Sequence, residues 1–109
     1  MKNTIFAVLG FAAMTVVSWA DERLTRGNAA KGQTLFAQCA GCHNTETDEK
    51  KVGPSLKKLF KHSRLHNGKA VSEANVRTQL SNGSKGMPAF GDDLPEREID
   101  DILAYLKTL

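Results

Sequence analysis

Two cysteines and a histidine form the most reactive stretch of the chain, in the sequence Cys39-Ala40-Gly41-Cys42-His43. Residues three apart share one face of a helical turn, so both thiols can reach the same planar partner. A histidine directly after the second cysteine is typical of covalent c-type haem attachment, in which each thiol forms a thioether. His43 would then give the iron its proximal imidazole ligand. The motif therefore predicts one haem c, bound through Cys39 and Cys42.

Two other uses of a Cys-x-x-Cys pair are less well supported. A structural zinc site needs four ligands, and outside the motif the chain offers only His62 and His66, with no second cysteine pair. A thioredoxin-type dithiol site requires a βαβ setting, whereas no segment alternates with the period of two that predicts a strand. Both comparisons favour the haem interpretation.

The second axial ligand of such a haem is expected to be Met87. Its sulfur lies in the glycine-rich segment 82–91 and not on a helical apolar stripe, and Pro88 stiffens the chain beside it. A thioether opposite a histidine is a common haem ligand pair. His62 or His66 could instead give bis-imidazole iron, and a vacant sixth position would indicate gas binding or peroxidase-like chemistry.

Residues 1–20 are predicted to be a cleavable secretory signal peptide. Lys2 supplies a positive charge, an apolar run extends over residues 5–17, and Ser18-Trp19-Ala20 is a small-x-small cleavage site. The apolar run is shorter than the ~20 residues of a membrane-spanning helix, which disfavours an uncleaved anchor. We therefore expect a periplasmic protein in which residues 21–109 form a single domain.

Helical spacing dominates that domain and predicts an all-α fold. A helix beginning near Asn28 should run to about residue 38 and deliver the chain to the cysteine motif. A short apolar-spaced helix should follow Pro54, and a further helix should extend from Ser72, a good N-cap, to Gly83. The last helix should start near Pro95. Its apolar residues recur at helical spacing: Ile99, Ile102, Leu103 and Leu106.

Charge is unevenly distributed along the chain, whose formal net charge is +3. One segment is basic and contains no acid: Lys50, Lys51, Lys57, Lys58, Lys61, Arg64 and Lys69. The segment 92–101 holds six acids and one arginine. This asymmetry predicts a dipolar molecule. Nucleic-acid binding is disfavoured, because the basic residues have no interleaved aromatic residues and no recognition motif.

In this order along the chain, four motifs resemble those of small bacterial class I cytochromes c. They are the Cys39–His43 motif, Gly53-Pro54-Ser55-Leu56, Gly86-Met87-Pro88-Ala89-Phe90 and the closing Ala104-Tyr105-Leu106. The resemblance implies four to five short helices around one covalent haem, with the first and last helices crossing. It places the contacts between those helices at Gly32 and Phe36 on the first, and at Leu103, Tyr105 and Leu106 on the last.

The same resemblance assigns roles to further residues. It implies that the Pro54 carbonyl accepts a hydrogen bond from His43, and that Leu56 and Leu59 line the haem pocket. Two positions depart from the family pattern. His62 stands near the place of an arginine expected at the haem propionates, and Pro95 replaces the Ser or Thr that usually caps the last helix.

The function implied by the resemblance is one-electron transfer. We expect a monomeric periplasmic shuttle, not an enzyme, that cycles between Fe(II) and Fe(III) and serves larger redox proteins such as a dehydrogenase, a reductase or a terminal oxidase. No stable membrane insertion is expected after signal cleavage. One alternative is a haem c subunit of a dehydrogenase or oxidase complex. The other is a ligand-binding or peroxidase-like haem protein.

Overall fold

The computed structural model describes Gly10, Ala12 and residues 27–109, so the predicted signal peptide otherwise lies outside the described residues. Over residues 27–109 the chain forms three α-helices, α1 (Ala29–Leu35), α2 (Glu73–Asn82) and α3 (Glu96–Leu106). Two 3₁₀ turns, Phe36–Gln38 and Leu59–Lys61, accompany them. This part of the chain contains isolated β-bridges but no strand, which confirms the all-α prediction. No described helix combines the length and apolar character needed to cross a bilayer.

Helix α1 begins where the sequence places a capping side chain. The Asn28 side-chain oxygen accepts a hydrogen bond from the Lys31 backbone N–H at 3.1 Å, which satisfies one of the free N–H groups of the first turn. After Leu35 the helix tightens into the 3₁₀ turn Phe36–Gln38, which leads directly to Cys39. The predicted helix to about residue 38 is therefore present as an α-helix with a 3₁₀ end.

Helices α1 and α3 cross with their backbones in direct contact at Gly32. A Cβ atom added to Gly32 would overlap the carbonyl oxygen of Asp101 and lie 2.8 Å from the Cβ of Tyr105, so only glycine fits there. At the start of the 3₁₀ turn that follows α1, the ring of Phe36 packs against that of Tyr105, with centroids 5.3 Å apart and planes tilted by 56°. The crossing predicted from the resemblance is confirmed.

The core is built around the apolar stripe of α3. Ile99, Ile102, Leu103 and Leu106 are all at most 3% exposed. The other members of the same buried cluster come from the two 3₁₀ turns and α2: Phe36, Leu59, Val76 and Leu80. Each such side chain contributes roughly 1.5–3 kcal/mol when it is fully buried. The stripe read from the sequence is therefore the centre of the fold.

Asp101 is buried in the helix crossing, although the sequence placed it among the surface acids. It is 6% exposed, and its Oδ1 accepts a hydrogen bond from the Asn28 backbone N–H at 2.6 Å. The carboxylate thus satisfies a free N–H at the start of α1 and ties that end to α3. Five of the six acids of segment 92–101 remain at least partly exposed.

The short helix expected after Pro54 is reduced to the 3₁₀ turn Leu59–Lys61. Two local features prevent an earlier start. The Ser55 hydroxyl accepts a hydrogen bond from the Lys57 backbone N–H at 3.2 Å, which competes with helical bonding. Lys58 then adopts a left-handed backbone with φ of 53°, the one described non-glycine residue with positive φ. Leu56 consequently lies outside any helix, before the turn.

Replacing Gly32 by alanine should destabilise the protein by about 1–3 kcal/mol or more, because a methyl group would force the backbones of α1 and α3 apart. Gln33→Ala, an exposed change at the next position of α1, is the control. Urea unfolding of the haem-loaded protein, followed by circular dichroism, gives both free energies. Equal stability of the two variants would contradict the described crossing.

Candidate haem-binding site

The cysteine motif forms a helical turn that continues from α1. The backbone N–H of Cys39 donates to the Phe36 carbonyl at 2.7 Å, and those of Cys42 and His43 both donate to the Cys39 carbonyl at 3.0 Å. This turn brings the two cysteines to one side of the chain, as their spacing predicts. Neither cysteine forms a disulfide bond.

The two thiols differ in their surroundings. Cys39 is partly buried and packs against the hydrophobic core. Burial raises the pKa of the Cys39 thiol, and the neighbouring Cys42 raises it further. Between residues 27 and 109, no group of three His, Cys, Asp or Glu side chains is arranged to hold a metal ion.

His43 is oriented by a backbone carbonyl. Its Nδ1 lies 2.7 Å from the Pro54 oxygen, and because a carbonyl can only accept, Nδ1 carries the proton. Nε2 therefore keeps its lone pair available for a metal, and the hydrogen bond makes the ring a stronger donor. The loop that supplies Pro54 is itself fixed, since Gly53 N–H donates to the Cys42 carbonyl and Leu56 N–H to the Asn44 carbonyl, each at 2.8 Å.

Gly53 allows the loop to approach the His43 ring. A Cβ at Gly53 would overlap Cε1 of the ring and lie 2.8 Å from Nδ1, so no larger residue fits without moving the imidazole. The sequence analysis named this glycine only as part of the Gly53-Pro54-Ser55-Leu56 motif. The sequence signal for this close approach was the position of Gly53 immediately before Pro54, whose carbonyl bonds to His43.

The loop between the motif and Gly53 folds back onto the attachment turn. Lys51 Nζ donates to the Ala40 carbonyl at 3.1 Å, between the two cysteines. Asn44 Nδ2 donates to the Glu49 carbonyl at 2.7 Å, and the Ser55 hydroxyl bonds to the Thr47 carbonyl. Although exposed, this loop therefore has a defined conformation beside the motif.

Met87 occupies the end of a tight turn that α2 supports. Backbone N–H groups and carbonyls of Ser84 and Met87 bond reciprocally, at 3.1 and 2.9 Å, and Gly86 supplies the positive φ of 91°. Beyond the turn, Phe90 N–H donates to the Leu80 carbonyl at 2.9 Å. Met87 is partly buried and packs against the core cluster.

Gln79 on α2 contacts the Met87 sulfur, and the sequence analysis missed it. Its Nε2 lies 3.4 Å from Met87 Sδ and 3.2 Å from the Ser84 hydroxyl oxygen. A thioether sulfur is a weak acceptor, so this amide N–H is directed at the atom that would bind iron. Because Gln79 lies eight residues before Met87 and on another element, spacing alone does not reveal the contact.

The remaining predicted residues fall into two groups. Leu59 is buried in the core cluster, and Leu56 packs against it together with Cys39 and Met87. His62 and His66 are exposed, and His62 Nε2 lies 3.0 Å from the Lys57 carbonyl oxygen. The histidine pair thus lies in surface loops, whereas Met87 lies against the apolar cluster.

This donor set fits a c-type haem. It comprises two thiols on one turn, an imidazole with Nε2 available, a thioether on a supported turn, and two leucine side chains, Leu56 and Leu59, at the apolar core cluster. Cys39, Leu56 and Met87 all border one apolar cluster, as a largely apolar porphyrin requires. The site would hold the haem by Cys39 and Cys42, with His43 and Met87 as candidate iron ligands.

Sequence comparison identifies a matching family model and relatives that cover most of the chain. Residues 27–106 match the family model described as "Cytochrome C oxidase, cbb3-type, subunit III". A cytochrome c6 from Rippkaea orientalis is 36% identical over 107 residues, which cover 97% of this chain and 89% of that protein.

Solved structures share the fold. A cytochrome c6 from the diatom Phaeodactylum tricornutum superposes with a TM-score of 0.59 at 30% identity, covering 75% of this chain and 93% of the other. Cytochrome cH from Methylobacterium extorquens gives a TM-score of 0.55, also at 30% identity, over 76% of this chain and 100% of the other. Both matches agree with the class I arrangement of helices.

Gly53→Ala should raise the reduction potential of the haem-loaded protein. The added methyl displaces the His43 ring and weakens its bond to the Pro54 carbonyl, and a less basic imidazole stabilises ferric iron less. Val52→Ala is the control, because Val52 is 75% exposed and adjacent in sequence. Protein-film voltammetry reports both potentials. A Gly53→Ala potential equal to that of Val52→Ala would argue against this role for the glycine.

Proposed function

The chain belongs to the cytochrome c family, and we propose that it is a periplasmic shuttle that carries single electrons between larger redox proteins. The bound haem c supplies the reversible Fe(II)/Fe(III) exchange. The proposal rests on one observation: two different candidate iron ligands are each held in place by neighbouring groups. His43 is held by the Pro54 carbonyl, and Met87 is held by its tight turn and Gln79. The relatives named cytochrome c6 support the same conclusion.

Two protein ligands on the iron favour electron transfer over catalysis. With His43 and Met87 both bound, no coordination position remains for a substrate. Leu56 and Leu59 would exclude water from the haem, and the fixed ligand turns would keep the geometry similar in both oxidation states. We therefore propose that the protein is not an enzyme and that the peroxidase-like alternative does not apply.

The basic segment 50–69 is proposed to dock partner proteins. Six of its seven cationic residues are exposed and Lys57 is partly so, and within residues 27–109 none forms a salt bridge. Lys51 reaches the carbonyl of Ala40 inside the attachment turn, which places positive charge next to the haem-binding motif. Such a surface fits an acidic redox partner and would speed its diffusional encounter.

Export follows from the predicted signal peptide and from the attachment chemistry. We propose that residues 1–20 are removed and that haem is attached to residues 21–109 in the periplasm, where the domain acts as a monomer. An intact mass equal to residues 21–109 plus one haem, measured on periplasmic protein, is the expected form for the experiments below.

A second candidate function is a haem c subunit of an oxidase complex. The description of the matching family model, which names an oxidase subunit, favours it. The free shuttle is favoured instead by the match to a cytochrome c6, because the match covers 89% of that protein. The two candidates differ in whether the protein is purified alone or in a complex, and in whether its rate depends on diffusional encounter.

Met87→Ala should abolish the weak far-red charge-transfer band of the ferric protein and lower its reduction potential, because the thioether ligand is lost. His62→Ala and His66→Ala are the controls, since both histidines lie in exposed loops. Optical spectra and voltammetry of the three variants test the assignment. A band that persists in Met87→Ala, or disappears in either histidine variant, would assign the ligand to another residue.

Charge reversal of Lys50 and Lys61 to Glu should slow electron transfer with an acidic redox protein at low salt, without a large change in potential. Above ~0.1 M salt the Debye length falls to about 10 Å or less, so the difference from the unsubstituted protein should shrink. Lys31→Glu, an exposed change on α1, is the control. Stopped-flow rates that respond to neither salt nor charge reversal would favour the second candidate, a haem c subunit of an oxidase complex.

A further inference from the structure

Asn67 lies in the loop 62–70, yet a hydrogen-bonded chain connects its side chain to the Met87 sulfur. Asn67 Nδ2 donates to Gln79 Oε1 at 3.3 Å. Gln79 Nε2 in turn lies 3.4 Å from Met87 Sδ. Three separate segments, the loop 62–70, α2 and the methionine turn, are therefore joined through two side-chain amides.

A backbone group fixes the direction of this chain of hydrogen bonds. Lys69 N–H donates to Asn67 Oδ1 at 2.9 Å, and because a backbone N–H can only donate, the Asn67 oxygen must face Lys69. The Asn67 NH₂ group then faces Gln79, which must accept with Oε1. The NH₂ group of Gln79 consequently points toward Met87 Sδ and the Ser84 hydroxyl.

The loop holds Asn67 in position although its side chain is exposed. Gly68 N–H donates to the Leu65 carbonyl at 2.9 Å, and Leu65 N–H donates to the Lys69 carbonyl at 2.7 Å. Gly68 adopts a φ of 84°, and the Arg64 guanidinium donates to its carbonyl at 2.9 Å. Asn67 is thus fixed within a closed turn.

We propose that Asn67 is a positioning residue that keeps the N–H end of the Gln79 amide, and not its carbonyl, toward the iron-ligating sulfur of Met87. The proposal rests on the proposed role of Met87. An N–H directed at the sulfur withdraws electron density from it, so the sulfur stabilises ferric iron less. The reversed amide would direct its negative oxygen at the sulfur and stabilise the ferric state. Asn67 therefore holds the reduction potential up.

The test is Asn67→Asp in the haem-loaded protein. A carboxylate at position 67 still accepts from Lys69 N–H but offers no N–H to Gln79 Oε1 at neutral pH. Gln79 should then turn its NH₂ group toward the introduced carboxylate and its oxygen toward Met87, which lowers the reduction potential. The new negative charge also lowers the potential, so Asn67→Asp is measured again in a Gln79→Leu background, where only the charge acts.

The effect of the turned Gln79 amide and the effect of the new charge can be distinguished by comparing the two backgrounds and by varying the salt concentration. The proposal expects a larger fall in potential with Gln79 present than in Gln79→Leu, with the excess surviving at high salt, since a charge effect at an exposed position is screened. In the ferrous protein, nuclear Overhauser contacts between the Gln79 amide protons and the Met87 methyl group should be lost in Asn67→Asp. Equal shifts in both backgrounds, or an excess removed by salt, overturn it.

The far-red band of the unsubstituted protein distinguishes this failure from failure of the proposed function. If the band is absent, Met87 is not the ligand and the role of Asn67 falls with it. If the band is present and the potential shows no Gln79-dependent shift, Met87 stands and the role of Asn67 alone is rejected. Asn67→Ala, which removes the donor without adding charge, should also lower the potential.

Discussion

The contact between the backbones of α1 and α3 at Gly32 is the constraint on which the rest of the structure depends. Because no side chain separates the helices there, the Phe36 and Tyr105 rings meet, and the Asp101 carboxylate reaches the first free N–H of α1. These contacts fix where α1 ends, and the attachment turn begins within one turn of that end. The position of Cys39 beside the core thus follows from a glycine about two helical turns earlier in the chain.

Two loops bring the axial donors to the same core by independent means. The first passes close to the His43 ring because Gly53 has no side chain, and it orients the ring through a single carbonyl. The second is held by backbone hydrogen bonds to the end of α2 and turns at Gly86. One donor is therefore oriented by main chain and the other is contacted by a side-chain amide. The chain can adjust the two sides of the haem separately.

Local signals explain what could be predicted from the sequence. The Cys39–His43 motif, the caps at Asn28 and Ser72, and the apolar stripe of α3 depend on residues within a few positions of each other. The features that were missed depend on distant partners. Asp101 is buried because it bonds to a residue 73 positions away, and Gln79 matters because a separate turn brings a sulfur to it. The segment after Pro54 shows a third limit, since the Ser55 hydroxyl overrides a helical pattern by accepting a hydrogen bond from the Lys57 N–H.

The pairing of α1 with α3 also determines when the chain can fold. These helices are the first and last of the described elements, and four of the eight core residues lie between Ile99 and Leu106. The contacts of Gly32 with Asp101 and of Phe36 with Tyr105 therefore form only when α3 packs against α1. Closing a loop of this length costs conformational entropy before any long-range contact compensates it. We therefore expect Cys39 and Cys42, which follow α1 directly, to remain accessible until α3 packs against that helix.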